Sequence, residues 1–224
     1  MIQSETDAFG ALLRRRFSCR AFLPGPVPRD VVDAALADAQ HVPSWCNSQP
    51  WQVHACGAEE TERLRAALFQ HVTEASHCPD IPFPEAYEGA YKDRRRECGW
   101  QLYDAVGVTK GDRAASAAQM RENFRFFGAP HFILITTPKK LGTYGVLDCG
   151  AFLTAVLLAF EARGIGAVPQ AAVASYSPFM RDWFAVPDDH DVLVGISFGY
   201  ADMDHPANNF RTNRAALPEV VNWR

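Results

Sequence analysis

The stretch that most constrains the fold is Ala151-Phe152-Leu153-Thr154-Ala155-Val156-Leu157-Leu158-Ala159-Phe160, which is apolar almost throughout and is followed by Gly164. It is too short to cross a bilayer, which takes about 20 such residues. A helix apolar all round must instead be buried on most sides. The pattern therefore predicts a central helix over 148–163 with the remaining elements wrapped around it. A chain of 224 residues that is 48% hydrophobic and 21% charged can supply that wrapping within one domain.

The other elements follow from periodicity. Val31, Val32, Ala35, Leu36 and Ala39 share one face of a helix over 28–42, with Pro28 near its first turn and Pro43 stopping it. Trp51 to Cys56 reads as a short strand, 58–71 as a charged amphipathic helix, and 76–86, with three prolines, as loop. Polar helices are expected over 87–105 and 112–126. Phe132-Ile133-Leu134-Ile135 is a strand buried on both faces, and Val192 to Phe198 a last core strand. Ser177-Pro178 opens a further helix, with the serine expected as its capping hydroxyl. Residues 201–224 form an extended polar tail. Strands and helices without a regular βαβ rhythm give the α+β class, and no G-x-G-x-x-G follows a strand, which disfavours a dinucleotide on a Rossmann fold.

The net charge of −4 argues against nucleic acid as a partner. No basic-then-apolar leader opens the chain, so the expectation is a soluble, cytoplasmic protein without a membrane partner. The six cysteines lack any C-x-x-C pair and read as reduced thiols. His71, His77 and Cys78 match no common zinc spacing, and no metal is assigned.

Two segments carry chemistry. Arg14-Arg15-Arg16-Phe17-Ser18-Cys19-Arg20 packs four guanidinium groups and a hydroxyl into seven residues. Forked, charge-assisted donors of this kind suit a dianionic phosphate. Arg16, Ser18 and Arg20 alternate, so an extended backbone would point them to one side; the plain alternative is a solvated basic patch at a helix end. Pro43-Ser44-Trp45-Cys46-Asn47-Ser48-Gln49-Pro50-Trp51 sets two carboxamides beside prolines and aromatic faces. Carboxamides both donate and accept, so Asn47 and Gln49 can read a heterocycle whose edge alternates N–H and C=O; they could equally satisfy a proline-bounded turn. Together the two segments describe a mononucleotide-like ligand.

These segments resemble the signatures of the nitroreductase family of FMN-dependent oxidoreductases: R-x-S-x-R at Arg16–Arg20, then P-S-x-x-N-x-Q-P-W at Pro43–Trp51. The likeness extends through Asn123–Pro130, the Gly164-Ile165-Gly166 turn, Gly195–Tyr200 and Asn209–Arg214, leaving out roughly 57–115. It implies an α+β sandwich with a central mixed sheet flanked by helices, an intertwined homodimer, a lid insertion near 76–110 and an extended arm over 201–224.

The resemblance also implies bound FMN, with NADH or NADPH as electron donor and a nitroaromatic or similar flat acceptor, reduced by a ping-pong mechanism on the flavin N5 with no catalytic side chain. Flavin contact falls to Arg16, Phe17, Ser18, Arg20, Pro43, Ser44, Trp45, Asn47, Gln49, Asn123, Pro169, Gln170, Ala171, Arg211 and Arg214, with Pro43–Trp45 reaching across from a partner subunit. Trp45, Phe83, Tyr87 and Phe124 are expected to wall the acceptor site. Trp45 and Cys46 stand where many members carry small residues, and Ala171 where some carry Glu. Quinone or enone reduction, reductive dehalogenation, flavin fragmentation and a non-catalytic flavin carrier are the alternatives.

Overall fold

A computed structural model describes residues 4–224. Its centre is a four-stranded sheet in the order β1-β2-β4-β3, made of Gln52–Cys56, His131–Pro138, His190–Gly199 and Gly166–Gln170 for β1, β2, β4 and β3 respectively. The expected mixed sheet is corrected here: all three strand pairings are antiparallel. Parallel contacts are confined to isolated bridges, one from Ser18 to Ala167 on the outer edge of β3 and one from Cys78 to Tyr176.

The run Phe132-Ile133-Leu134-Ile135 is apolar because β2 is covered on both faces. Ile133 and Ile135 point into a core shared with α2 (Arg29–Ala39) and α6 (Gly142–Ala162), together with Phe152, Phe160 and Phe198. Phe132 and Leu134 point the other way, towards α3 (Ala58–His71), α7 (Ser177–Phe184), Phe126 and Met180. Alternation along one strand thus supplies two cores, one on each face of the sheet. Gly195 on β4 is required by this arrangement, because a Cβ there would meet the Phe132 ring at 2.5 Å.

α6 extends six residues further back than the apolar run alone indicates, to Gly142. With the turn before it, the span Lys139–Ala162 is long and apolar enough to cross a membrane by length and composition. In this fold it packs on α2, β2 and β3, and stacks Phe152 on Trp51 and Phe160 on Phe198.

Two other expectations shift. The helix over 112–126 divides into α5 (Arg113–Arg121) and a 3-10 segment in which Phe126 and Phe127 take left-handed backbone angles. α4 (Gly89–Ala105) matches its expected span closely. Ser177 does not cap α7. Tyr176 holds the cap position, while the Ser177 hydroxyl donates to the Ala174 carbonyl and accepts from the Asp80 N–H.

Candidate functional site

α1 (Glu5–Arg15) ends at Arg16, and from there the chain runs extended along the edge of β3 and past the end of β4. The Cys19 N–H donates to the Ala167 carbonyl, and the Leu23 N–H to that of Tyr200. Cys19 is fully buried against Gly166, where a Cβ would lie 3.0 Å from the Cys19 sulfur. Burial pushes its thiol up to about 11, so it is a packing residue. With Cys19 turned inward, Arg16, Ser18 and Arg20 face out together, as their alternation requires.

They open onto a cavity of about 410 Å³ whose wall also includes Arg14, Phe17, Cys98, Phe210, Arg211, Thr212 and Arg214. Arg211 lies over the Phe17 ring at 3.9 Å, and Arg20 between the rings of Phe127 and Phe210. Asn208, buried at the start of the arm, organises this corner. Its Oδ1 accepts from the Arg20 N–H, and its Nδ2 donates to the carbonyls of Ala21 and Asp202.

The cavity wall carries five arginines and, among the described residues, no carboxylate. Among the described residues, none of Arg14, Arg16, Arg20, Arg211 and Arg214 forms an ion pair, whereas Arg15, turned aside, pairs with Glu161 at 2.6 Å. Burial holds Arg16 and Arg20 below the usual guanidinium range, and Arg214 lowers Arg16 further. Unpaired, partly buried cations make a site that lacks an anion. A phosphate monoester, with its charge and several acceptor oxygens, meets that need.

The second segment is built by backbone strain and one distant carboxylate. Cys46, Asn47 and Gln49 all take left-handed angles, with φ of 50°, 55° and 46°. Such angles persist only where the surroundings over-determine them. Here the Asp148 carboxylate, buried on α6, accepts from the Trp45 N–H at 3.0 Å and from the Ser48 hydroxyl. The Ser44 hydroxyl accepts from the Gln49 N–H, and the Gln49 carboxamide donates to the Asn47 carbonyl. Pro43, Asn47 and Gln49 are exposed, and Trp45 leans on Tyr144.

In one chain these two segments do not meet. Arg15 is fixed at Glu161 and the Trp45 loop at Asp148, thirteen positions apart on α6, which is about 20 Å of helix. Pro169 and Gln170 close β3 at the end away from the Ser18 bridge, and Ala171 follows them in a 3-10 turn. The Gln170 side chain is 2% exposed and turned inward, accepting from Ser197 and donating to the Asn123 carbonyl at 2.7 Å. Asn123 likewise spends its Nδ2 on the Met120 carbonyl.

The expected acceptor walls divide. Phe124 is buried in a T-shaped contact with Tyr176. Phe83 and Tyr87 are exposed on the loop before α4, with Tyr87 beneath Arg95, and neither lines the arginine cavity. His71 and His77 both pack on Tyr176. Asp148 and Asn208 were not anticipated. The available signal for Asp148 was a lone charge in the otherwise uncharged run Tyr144–Phe160.

The Nitroreductase family profile matches residues 13–200. The chain belongs to the nitroreductase family. It is 32% identical over 209 residues to 4-nitrobenzoate reductase of Pseudomonas putida, covering 93% of this chain and 92% of that one. The FMN-dependent nitroreductase NfnB of Mycobacterium smegmatis, solved in complex with NADPH, superposes with a TM-score of 0.94 at 32% identity, over 99% of this chain and all of that one. The FMN and NADPH-dependent NfnB of Sphigopyxis sp. strain HMH gives a TM-score of 0.92 at 29% identity, over 96% and 98%. The family match ends at residue 200, so Arg211 and Arg214 lie beyond it and rest on the cavity they line.

Proposed function

We propose that this protein is an FMN-dependent NAD(P)H oxidoreductase that reduces nitroaromatic or similarly flat aromatic acceptors. The observation that carries this reading is the arginine cavity: five guanidinium groups and the Ser18 hydroxyl around one space, with no ion-pair partner for any of the five among the described residues. Its position in a fold shared with FMN-dependent nitroreductases supports the same conclusion.

Arg16, Arg20, Arg211 and Arg214 would hold the phosphate, and Ser18 would add a hydroxyl donor. Phe17 supports Arg211 from beneath. Pro169 and Gln170 at the end of β3, with Ala171 after them, would line the ring through their backbone. When bound, FMN supplies the hydride chemistry, and the chain supplies binding, orientation and electrostatics. Asn47 and Gln49 would contribute from a second copy of the chain, since within one chain their loop is held some 20 Å along α6 from the arginines. Exposed Leu217, Val220 and Trp223 on the arm give that second copy an apolar surface to cover. The chain is read as one domain with a lid over 76–110. That segment is pinned at its start by the Asp80–Arg181 pair and by the Cys78 N–H on the Ser175 carbonyl. Six free cysteines suit a reducing compartment, and the cytoplasm is the proposed location.

Steady-state turnover with NADPH or NADH tests the reading. Double-reciprocal lines at several fixed nitroarene concentrations should be parallel. Intersecting lines would reject a shared site for donor and acceptor. Turnover with a quinone or halophenol but with no nitroarene would move the protein to a different flavin chemistry.

A further inference from the structure

Beside the carboxamides stands an aromatic corner formed by Trp45 and Tyr144. Trp45 is 63% exposed and Tyr144 58%, with ring centroids 5.2 Å apart and planes inclined at 36°. A tilt of that size leaves the rings as an open wedge, with a face of each still available. Leu147, one turn along α6 from Tyr144, is also exposed and extends the same apolar surface.

The corner is held at two levels from one helix face. Tyr144 and Asp148 are four residues apart on α6, so they project from the same side in successive turns. Tyr144 meets the Trp45 ring, while Asp148 accepts from the Trp45 backbone N–H at 3.0 Å. The left-handed angles of Cys46 and Asn47 directly after Trp45 show that the loop is constrained from outside its own sequence. The indole position is therefore set by α6, and the wedge stands next to Asn47 and Gln49, the groups assigned to the ring of the cofactor.

We propose that Tyr144 is a specificity-determining residue for the acceptor, forming with Trp45 a wedge that stacks on a flat aromatic ring, and that Asp148 is the positioning residue that fixes the wedge. An electron-poor nitroarene is the class of ligand that electron-rich indole and phenol faces take best. This inference rests on the proposed function.

The test compares Tyr144→Ala and Tyr144→Phe in the flavin-loaded protein, with a nitroarene and with ferricyanide, a non-aromatic acceptor that cannot stack. Loss of one stacking ring should raise KM for the nitroarene by about 2- to 10-fold in Tyr144→Ala. Ferricyanide turnover, flavin content and sedimentation should stay as in the wild type, and Tyr144→Phe should behave like wild type. An unchanged KM would overturn the proposal. So would an equal loss with ferricyanide, which marks a general structural role, or dissociation of the assembly, which marks Tyr144 as an interface residue. A wild-type protein that binds no flavin would remove the proposed function first, and this inference with it.

Discussion

The arginine cavity and the Trp45 loop are built on opposite principles. Around the cavity the backbone is extended and paired to the sheet edge, and the tension is electrostatic: like charges gathered with no ion pair among the described residues. In the loop the backbone carries the strain, at three left-handed residues, and a single buried carboxylate compensates for it. A site of the first kind is completed by a ligand. One of the second kind is complete before any ligand arrives, and presents its groups ready-made.

The largest separation between the two should come from Arg20→Ala. Losing a hydrogen bond to a charged group should weaken FMN binding to the apoprotein by about 1.5–3 kcal/mol. Unfolding of the apoprotein should be little affected, because the variant also removes an unpaired cation. Unchanged flavin affinity by titration would return Arg20 to a solvated patch.

Asp148→Ala should do the reverse. It leaves the Trp45 N–H and the Ser48 hydroxyl without their acceptor and should destabilise the fold by about 1–3 kcal/mol in denaturant melts. Its effect on binding of inorganic phosphate should be small. Equal damage to phosphate affinity would show that the two regions are coupled within one chain.

Ionic strength offers a finer contrast. Partly exposed guanidinium groups should bind inorganic phosphate less well as salt rises, whereas the loop's tether to its buried partner should be insensitive to salt. Isothermal titrations at low and physiological ionic strength would show this. Identical phosphate affinities would contradict the electrostatic account of the cavity.

The smallest expected effect is on the segment leading away from the cavity. The Val27 N–H donates to Nε2 of buried His131 at 2.8 Å, which requires the neutral ring. Burial holds the His131 pKa below its ordinary value of 6.5. The unfolded chain therefore binds more protons than the folded one as pH falls below that value. Stability should be flat above it and decline as pH drops towards the folded pKa. His54, lowered by burial and by nearby His190, should add to the same decline. Melts between pH 8 and 5 should show a shallower slope for His131→Gln, and an unchanged slope would assign the decline to other groups.

The same contrast explains what the sequence made legible. Arg16, Ser18 and Arg20 could be read because charge and two-residue alternation are local, and the structure places all three on one cavity. Asn47 and Gln49 could be picked out by type, but their geometry could not, because it depends on Asp148 roughly a hundred positions away. β3 escaped notice as a strand: it has only five residues and contains Pro169, which propensity discounts although an edge strand tolerates it. α1 likewise lacks a buried residue to mark one face. The burial of Phe124 was not legible, because an aromatic cluster reads alike whether it lines a pocket or fills a core. The left-handed turn at Phe126 and Phe127, which no local pattern announces, helps decide between the two.

Under the proposed function the arginine cavity holds the phosphate of FMN. Quantifying flavin released by heat from the purified protein, alongside the Arg16→Ala/Arg20→Ala double variant, tests it most directly. The expected result is a yellow protein releasing about one FMN per chain and a double variant that is folded but releases little. A colourless wild type that neither takes up added FMN nor gains thermal stability from it would contradict the claim, as would a double variant that retains its flavin in full.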